Sequence, residues 1–536
     1  MFFLKNKSLQ VLLIILVALV YRLPGLSERP MHSDEAVNAV KFSQLIESQK
    51  FVYNPVEYHG PALFYFTLPV AWITGNMSFK KFTETMLRMV PVIFGTALIA
   101  LLFLLGSGVR WHVLCIAAFF TAISPAFVYY SRYYIHEMLF VFFCYLTVFS
   151  AYRYCRDQKI HWLLLSAFSL GLMISTKETW IIIVLMMVIS ASLTFVPFKK
   201  QRVILTGFIK SVPLNHILGF WALFFLIVIL FYTSFFKHPQ GLVDSFSAFS
   251  TYFQRAGNNQ IHVHPWYMYF KWLLFFGMDN GHFWSEAIIA LFALIGITGI
   301  IANNKFREGE NTFLLFLLIF VLTTSITFSL IPYKTPWNLL TFWYGFMILG
   351  SVGFFYIYSK LINKLWKRIY ILITSLFVLH LGWQSYQLNF NLASSVGNPY
   401  VYAHPVEDVI RVSEKFKHIA EQLPDGYNAY IQVFAKDNDY WPLPWYLRRF
   451  DRVAWWNSFD SVTAAAPIII AQAAMEDQLI YQLYQKPPPG KRNLYLPLFQ
   501  AYTELRPGVE IRGYIRKDIS DMLNSSTEEP IDFNHQ

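Results

Sequence analysis

Long apolar runs separated by short polar links dominate the chain as far as residue 388. Eleven of them lie near 9–25, 87–108, 112–131, 138–154, 161–176, 179–197, 216–236, 286–303, 312–331, 337–359 and 369–388. Each approaches the roughly 20 residues that an α-helix needs to cross a bilayer. A twelfth run, "GPALFYFTLPVAWITG" at 60–75, is shorter, begins Gly-Pro and contains Pro69. It fits a helix lying in the interface, or re-entering it, as well as a span. "DEAVNAVKFSQLIESQKF" has apolar residues at helical spacing and predicts a helix along the membrane surface; the aromatic-rich "PWYMYFKWLLFF" predicts another.

After about residue 390 the periodicity becomes that of a soluble fold. "PVEDVIRVSEKFKHIAEQL" reads as an amphipathic helix stopped by Pro424-Asp425-Gly426. "NAYIQVFA" and "APIIIAQ" read as buried strands, and "WPLPWYLRRF" as a loop leading into a short helix. The expected architecture is an α-helical polytopic membrane domain of eleven spans plus interfacial helices over 1–389, with a first outer loop over about 26–86. A small extracytoplasmic α/β domain over 390–520 and a disordered tail over 521–536 follow.

Charge fixes the expected orientation. Only 14% of the residues are charged, against about a quarter in soluble proteins. The net charge of +11 comes from Lys and Arg gathered in short links, so it does not point to nucleic acid. If 60–75 does not span, Lys5 and Lys7, Arg153, Arg156 and Lys159, Lys199, Lys200 and Arg202, Lys305 and Arg307, and Lys360, Lys364, Lys367 and Arg368 share one side. That side is cytoplasmic and holds the N-terminus. "RPMHSDEA", "YYSRYYIHE", "STKET", the loop 237–285, "IPYKTPW" and the C-terminal domain then face outward. The first run has no small-residue cleavage site after it and is expected to stay as a span. Cys115, Cys144 and Cys155 have neither zinc-ligand spacing nor a disulfide pattern.

No nucleotide loop, nucleophile elbow or zinc-protease motif occurs, so an activated substrate is expected to arrive through the membrane. Asp34 opens a helix, where backbone N–H groups and the helix dipole favour an ionised carboxylate able to take a hydroxyl proton. The competing reading is a simple helix cap. Glu57 and His59 in "VEYHGP" suit an interfacial turn, or two ligands of an incomplete metal site. Arg132 precedes His136 and Glu137, and its guanidinium suits a phosphate. Lys177 and Lys334 are further phosphate candidates, although Lys177 also suits a pair with Glu178. His262 and His264 have chelating spacing without an evident third ligand.

The ordered set "HSDEA", "YNPVEYHGPALFYF", "SPAFVYYSRYYIHE", "STKET", "HPWYMYFKWLL", "YKTPWN" and "WPLPWYLR" covers nearly the whole chain. It resembles the GT-C glycosyltransferase superfamily, whose members include protein O-mannosyltransferases and the aminoarabinose transferase of lipid A. More narrowly, it resembles the bacterial and archaeal flippase-activity-associated subfamily. The resemblance implies a GT-C-like fold and inverting transfer of a hexosyl or pentosyl group on the extracytoplasmic side. The donor would be a polyprenyl-phosphate sugar and the acceptor a lipid, glycan or protein. Asp34 is then the expected base, with Glu35 or Glu137 orienting the acceptor. Arg132, Lys177 and Lys334 bind the donor phosphate, and His32, Glu57, His59, His136, His264 and Trp337 line the pocket. No cofactor is required; a divalent metal at His59 or His264 is compatible with the pattern but not needed. The rival class is a polyprenyl-linked glycan transporter, flippase or assembly subunit without chemistry. Polar motifs gathered at one edge, with no repeated halves, favour transfer.

Overall fold

The structure, a computed structural model, describes residues 6–56, 59–197, 199–248, 262–277, 283–302, 312–459, 464–499 and 502–525. They form two compact units. The first comprises Met1–Leu26, Gln44–Asn76 and Thr83–Tyr402; the second comprises Ser27–Ser43, Met77–Phe82 and Ala403–Gln536.

The first unit is helical. Its elements, with one helix begun in the second unit, run α1 (Lys7–Arg22), α2 (Ser33–Ser48), α3 (Ala62–Thr74), α4 (Glu84–Leu101), α5 (Trp111–Ile123), α6 (Pro125–Ser131) and α7 (Glu137–Asp157). They continue as α8 (Ile160–Ile174), α9 (Trp180–Phe195), α10 (Lys199–Ser211), α11 (Leu214–Tyr232), α12 (Met268–Leu274), α13 (Ala287–Ala302), α14 (Thr312–Leu330), α15 (Leu340–Lys360) and α16 (Lys364–Tyr386). Among the described residues six helical stretches are long and apolar enough to cross a membrane: Glu84–Gly106, Glu137–Asp157, Leu214–Tyr232, Thr312–Leu330, Pro336–Lys360 and Lys364–Asn391. The pair α5–α6, bent by 62° at its break, passes the same test together, as a broken span or a re-entrant loop.

Against the expected eleven, the described residues hold six helices of spanning length, or seven with the bent pair. The other four runs do wind into helices, but α1, α8, α9 and α13 have only 15 or 16 residues. At 1.5 Å per residue these cover about 22–24 Å of a hydrocarbon core of about 30 Å. Turns at their ends, Leu23-Pro24 after α1 and Ser175–Thr179 between α8 and α9, stop them early. The ambiguous run forms α3, 13 residues closed by Gly75 in a left-handed conformation (φ 71°).

The break between α5 and α6 exposes helix-end groups inside the protein, and two buried charges satisfy them. Arg22 donates to the carbonyls of Ala122 (2.8 Å) and Thr121 (3.0 Å) and to Ser131 Oγ (3.1 Å). Glu286 accepts from Ala126 N–H (3.0 Å), Ser124 Oγ (2.5 Å), Trp343 Nε1 (3.1 Å) and Tyr400 Oη (2.6 Å). Pro125 supplies no N–H, which is why the helix parts there. Elsewhere α13 and α15 touch backbone to backbone. A Cβ on Gly296 would strike the Leu349 carbonyl, and one on Gly353 the Phe292 carbonyl.

The second unit is a mixed sheet with helices. Its strands are β3 (Tyr430–Phe434), β4 (Arg452–Trp456), β5 (Ile468–Gln472), β6 (Tyr495–Pro497), β7 (Glu504–Arg506) and β8 (Val509–Arg516), after a small hairpin β1 (Phe276–Gly277) and β2 (Phe283–Trp284) in the first unit. The order is β4-β3-β5-β8-β6, with β7 also on β8. β3 is parallel to β4 and β5, whereas β8 is antiparallel to its neighbours. The buried strands expected from "NAYIQVFA" and "APIIIAQ" are β3 and β5, mostly apolar central strands that are buried along nearly all of their length. The expected amphipathic helix is α17 (Asp408–Gln422), which buries Val409, Val412, Phe416 and Ile419 in the core. Ser27–Ser43, with the start of α2, and Met77–Phe82, after α3, join this unit. Met31 N–H donates to Tyr446 Oη (2.8 Å), Arg448 to the Phe82 carbonyl (2.9 Å), and Lys80 pairs with Asp451.

Candidate active site

In the first unit, five loop segments bring one polar cluster together. The Gly60 backbone lies flush on the link between α8 and α9: a Cβ there would collide with the Ser175 carbonyl, and Ala62 N–H donates to that carbonyl at 2.9 Å. This is why "HGP" reads as it does. Gly permits the approach, and Pro61, as N-cap, starts α3. The same link carries Lys177 and Glu178. Both Glu178 oxygens are occupied, Oε1 by Tyr53 Oη (2.8 Å) and Oε2 by His59 Nδ1 (2.7 Å). Burial pushes the Glu178 carboxyl up, but His59 and Tyr53 outweigh it and hold the group below the usual carboxylate range. The His136 ring stands edge-on to His59 at 5.2 Å, and its Nε2–H donates to the Gly60 carbonyl (3.2 Å). Burial, then His59 and Lys177, keep His136 well below the ordinary imidazole range, so it is neutral.

Lys177 does not pair with its chain neighbour. Its ammonium donates to Glu137 Oε1 (2.6 Å) and Asn338 Oδ1 (3.0 Å), all nearly buried. Asn338 continues to Thr335 Oγ1 (2.9 Å), next to Lys334. Here the loop of His262 and His264 is zipped to "IPYKT": His264 N–H donates to the Pro332 carbonyl and Lys334 N–H to the His262 carbonyl, at 3.1 and 3.0 Å. Lys334 is 1% exposed, its ammonium bonds the Ile331 carbonyl, and it lies over the Tyr269 ring at 5.9 Å. Burial, then His262 and Lys334, lower His264. Trp337 packs by Tyr130, Tyr133 and Tyr402. Arg132 serves the end of α1. Its guanidinium donates to the carbonyls of Arg22, Pro24 and Gly25 at 2.5–3.2 Å and stacks on Phe390, closing the end of α1.

The acidic pair belongs to the second unit, and its two members differ. Glu35 is fully buried; it accepts from His32 N–H (3.0 Å) and faces Arg29 (3.4 Å). That is the third-position contact of a capping box, with His32 as N-cap. The backbone N–H expected at Asp34 thus goes to Glu35. The Asp34 side chain is 51% exposed, and its own N–H donates to His32 Nδ1 (3.0 Å). Glu57 lies outside the described residues. Among the described residues no three His, Cys, Asp or Glu converge to hold a metal, and His59 and His264 take no part in such a group.

Sequence reasoning set Lys177 and Glu178 side by side but did not reach the Glu178–His59 pair, nor Tyr53, Asn338, Arg22 or Glu286. Lone charges at the edges of apolar runs, "VYRLPG" and "FWSEAII", were the available signal for the last two.

The chain is that of a multi-pass membrane protein, and part of its sequence and its fold are similar to membrane glycosyltransferases. The family model described as dolichyl-phosphate-mannose-protein mannosyltransferase matches residues 59–232. The fold is similar to that of ArnT from Cupriavidus metallidurans bound to undecaprenyl phosphate, with a TM-score of 0.60 and 13% identity over 95% of this chain and 98% of that one. It is also similar to the archaeal oligosaccharyltransferase AglB from Archaeoglobus fulgidus, solved with an inhibitory peptide and a dolichol-phosphate. There the TM-score is 0.54 and the identity 13%, over 89% of this chain and 70% of that one. None of the curated proteins matches the chain.

Proposed function

We propose that the protein transfers a sugar, with inversion, from a polyprenyl-phosphate carrier to an acceptor hydroxyl on the extracytoplasmic side, as in the flippase-activity-associated subfamily. The observation that carries this reading is a coincidence of segments. The family match over 59–232 contains His59, His136, Glu137, Lys177 and Glu178, which the fold gathers into one cluster. The two similar structures, holding undecaprenyl phosphate and dolichol-phosphate, support a polyprenyl-phosphate ligand. Asp34 is the base: it is the exposed member of its pair, while Glu35 is taken up by the helix start. Lys177 and Lys334 supply positive charge toward the leaving phosphate. Arg132 contributes to the same field while anchoring α1, and Glu137 holds Lys177. In this reading all eleven apolar runs cross, the short helices being completed by flanking residues or local thinning. The C-terminal unit is then extracytoplasmic.

The test is release of polyprenyl phosphate from a panel of polyprenyl-phosphate sugars by the purified protein. Asp34→Asn is expected to abolish release while the protein stays folded. Near-normal turnover in that variant would remove Asp34 from the mechanism.

A further inference from the structure

We propose that His59, oriented by Glu178, is the acid that protonates the departing phosphate. This rests on the transfer reading above. With both oxygens of Glu178 accepting, from Tyr53 and from His59, the carboxylate fixes the ring so that Nδ1 carries the proton it donates and Nε2 faces away. The pair joins a 5% exposed carboxylate to a 35% exposed imidazole. A buried anion thus orients an imidazole that substrate can reach. The cations of the first unit considered for phosphate are far less accessible: Arg132 and Lys177 are each 5% exposed, and Lys334 1%. They provide field, whereas His59 can provide a proton. Its loop is held firmly, by Gly60 on Ser175 and by His136 on the Gly60 carbonyl. Among the described residues, the titratable groups beside His59 include Glu178, Tyr53 and His136, with Lys177 and Glu137 behind them.

The step balances. The bond from the anomeric carbon to the phosphate oxygen breaks, and its electron pair stays on that oxygen. The His59 Nε2 proton passes to the phosphate, leaving a neutral ring and a singly charged phosphate monoester. The acceptor oxygen bonds to the anomeric carbon, and its proton goes to the general base or to water. His59 is reprotonated from solvent. A phosphate monoester, with its second pKa of about 6, is matched to an imidazole donor.

The experiment follows turnover against pH and, separately, the ¹⁵N signals of histidine-labelled protein in detergent. His59→Gln should lower kcat about 100-fold with KM changed only a few-fold. The wild-type rate should fall on the alkaline side, and Glu178→Gln, which removes the anion behind the ring, should move that limb to lower pH. A purely structural pair would not move it. Turnover of His59→Gln within about threefold of wild type, or an unmoved limb in Glu178→Gln, overturns the proposal. If the wild type releases phosphate from no donor, the transfer reading fails by itself, and the ¹⁵N readout decides the acid. The His59 Nε2 signal should shift on adding a polyprenyl monophosphate and stay in place with the matching polyprenol. No shift with the phosphate overturns the proposal.

Discussion

At the scale of single residues, buried charge and close approach make the sharpest forecasts. Lys177 and Glu137 compensate each other out of water. Lys177→Met should cost about 3–5 kcal/mol by stranding the carboxylate, and Lys177→Met/Glu137→Leu should recover most of that loss in thermal denaturation. Gly60→Ala forces the His59 loop off the Ser175 carbonyl. A loss of about 1–3 kcal/mol is expected, with turnover falling more than stability because the ring at His59 moves. His404 supplies a pH dependence with a definite sign. It is buried, and burial, with Arg29 and His32 beside it, holds it well below the ordinary imidazole range. The unfolded chain takes up a proton below about pH 6.5 while the folded chain does not. Stability is therefore full above that pH and falls as the pH drops, by up to about 1.4 kcal/mol per unit. Tm should decline between about pH 7 and 5, more shallowly in His404→Gln; an equal slope in that variant would exonerate the ring.

At the scale of elements, what could be read in the sequence was whatever depends on local pattern. Every long apolar run became a helix, and α17, β3 and β5 formed where periodicity placed them. Helix length was less legible, because a turn such as Ser175–Thr179 ends α8 and delays α9 without breaking the apolar composition. Pairings across the chain were not legible at all. Glu178 reaches a His 119 residues away rather than the Lys beside it, and Lys177 reaches back 40 residues to Glu137. Adjacent residues of a tight turn point apart, which spacing alone does not reveal. The start of α2 teaches the same lesson: in "SDE" the last residue caps and the middle one stays exposed. Glu35→Gln should accordingly lower thermal stability by roughly 1–3 kcal/mol, with a smaller effect on turnover than Asp34→Asn. The reverse order would exchange their roles.

At the scale of the whole molecule, the proposed topology of eleven crossings puts the two ends on opposite sides of the membrane. Reporters fused after about residues 205 and 363 should read cytoplasmic, and one after about 395 external; an internal reading at the last would require an even number of crossings. The polar clamp on the α5–α6 break adds a consequence for biogenesis. Arg22 has already left the ribosome when Thr121 and Ala122 arrive about a hundred residues later. Glu286 follows Ser124 by 162 residues, and Tyr400 comes 114 residues after that. At about 5–20 residues per second the interval of 162 residues alone lasts roughly 8–30 seconds. For that time a kinked hydrophobic segment with open N–H groups sits in or beside the bilayer before its carboxylate exists. The carboxylate in turn waits for the hydroxyl and indole that complete it. The order of insertion is thus a series of deferred contacts, and the translocation machinery must shelter the nascent kink until the last third of the chain has been made.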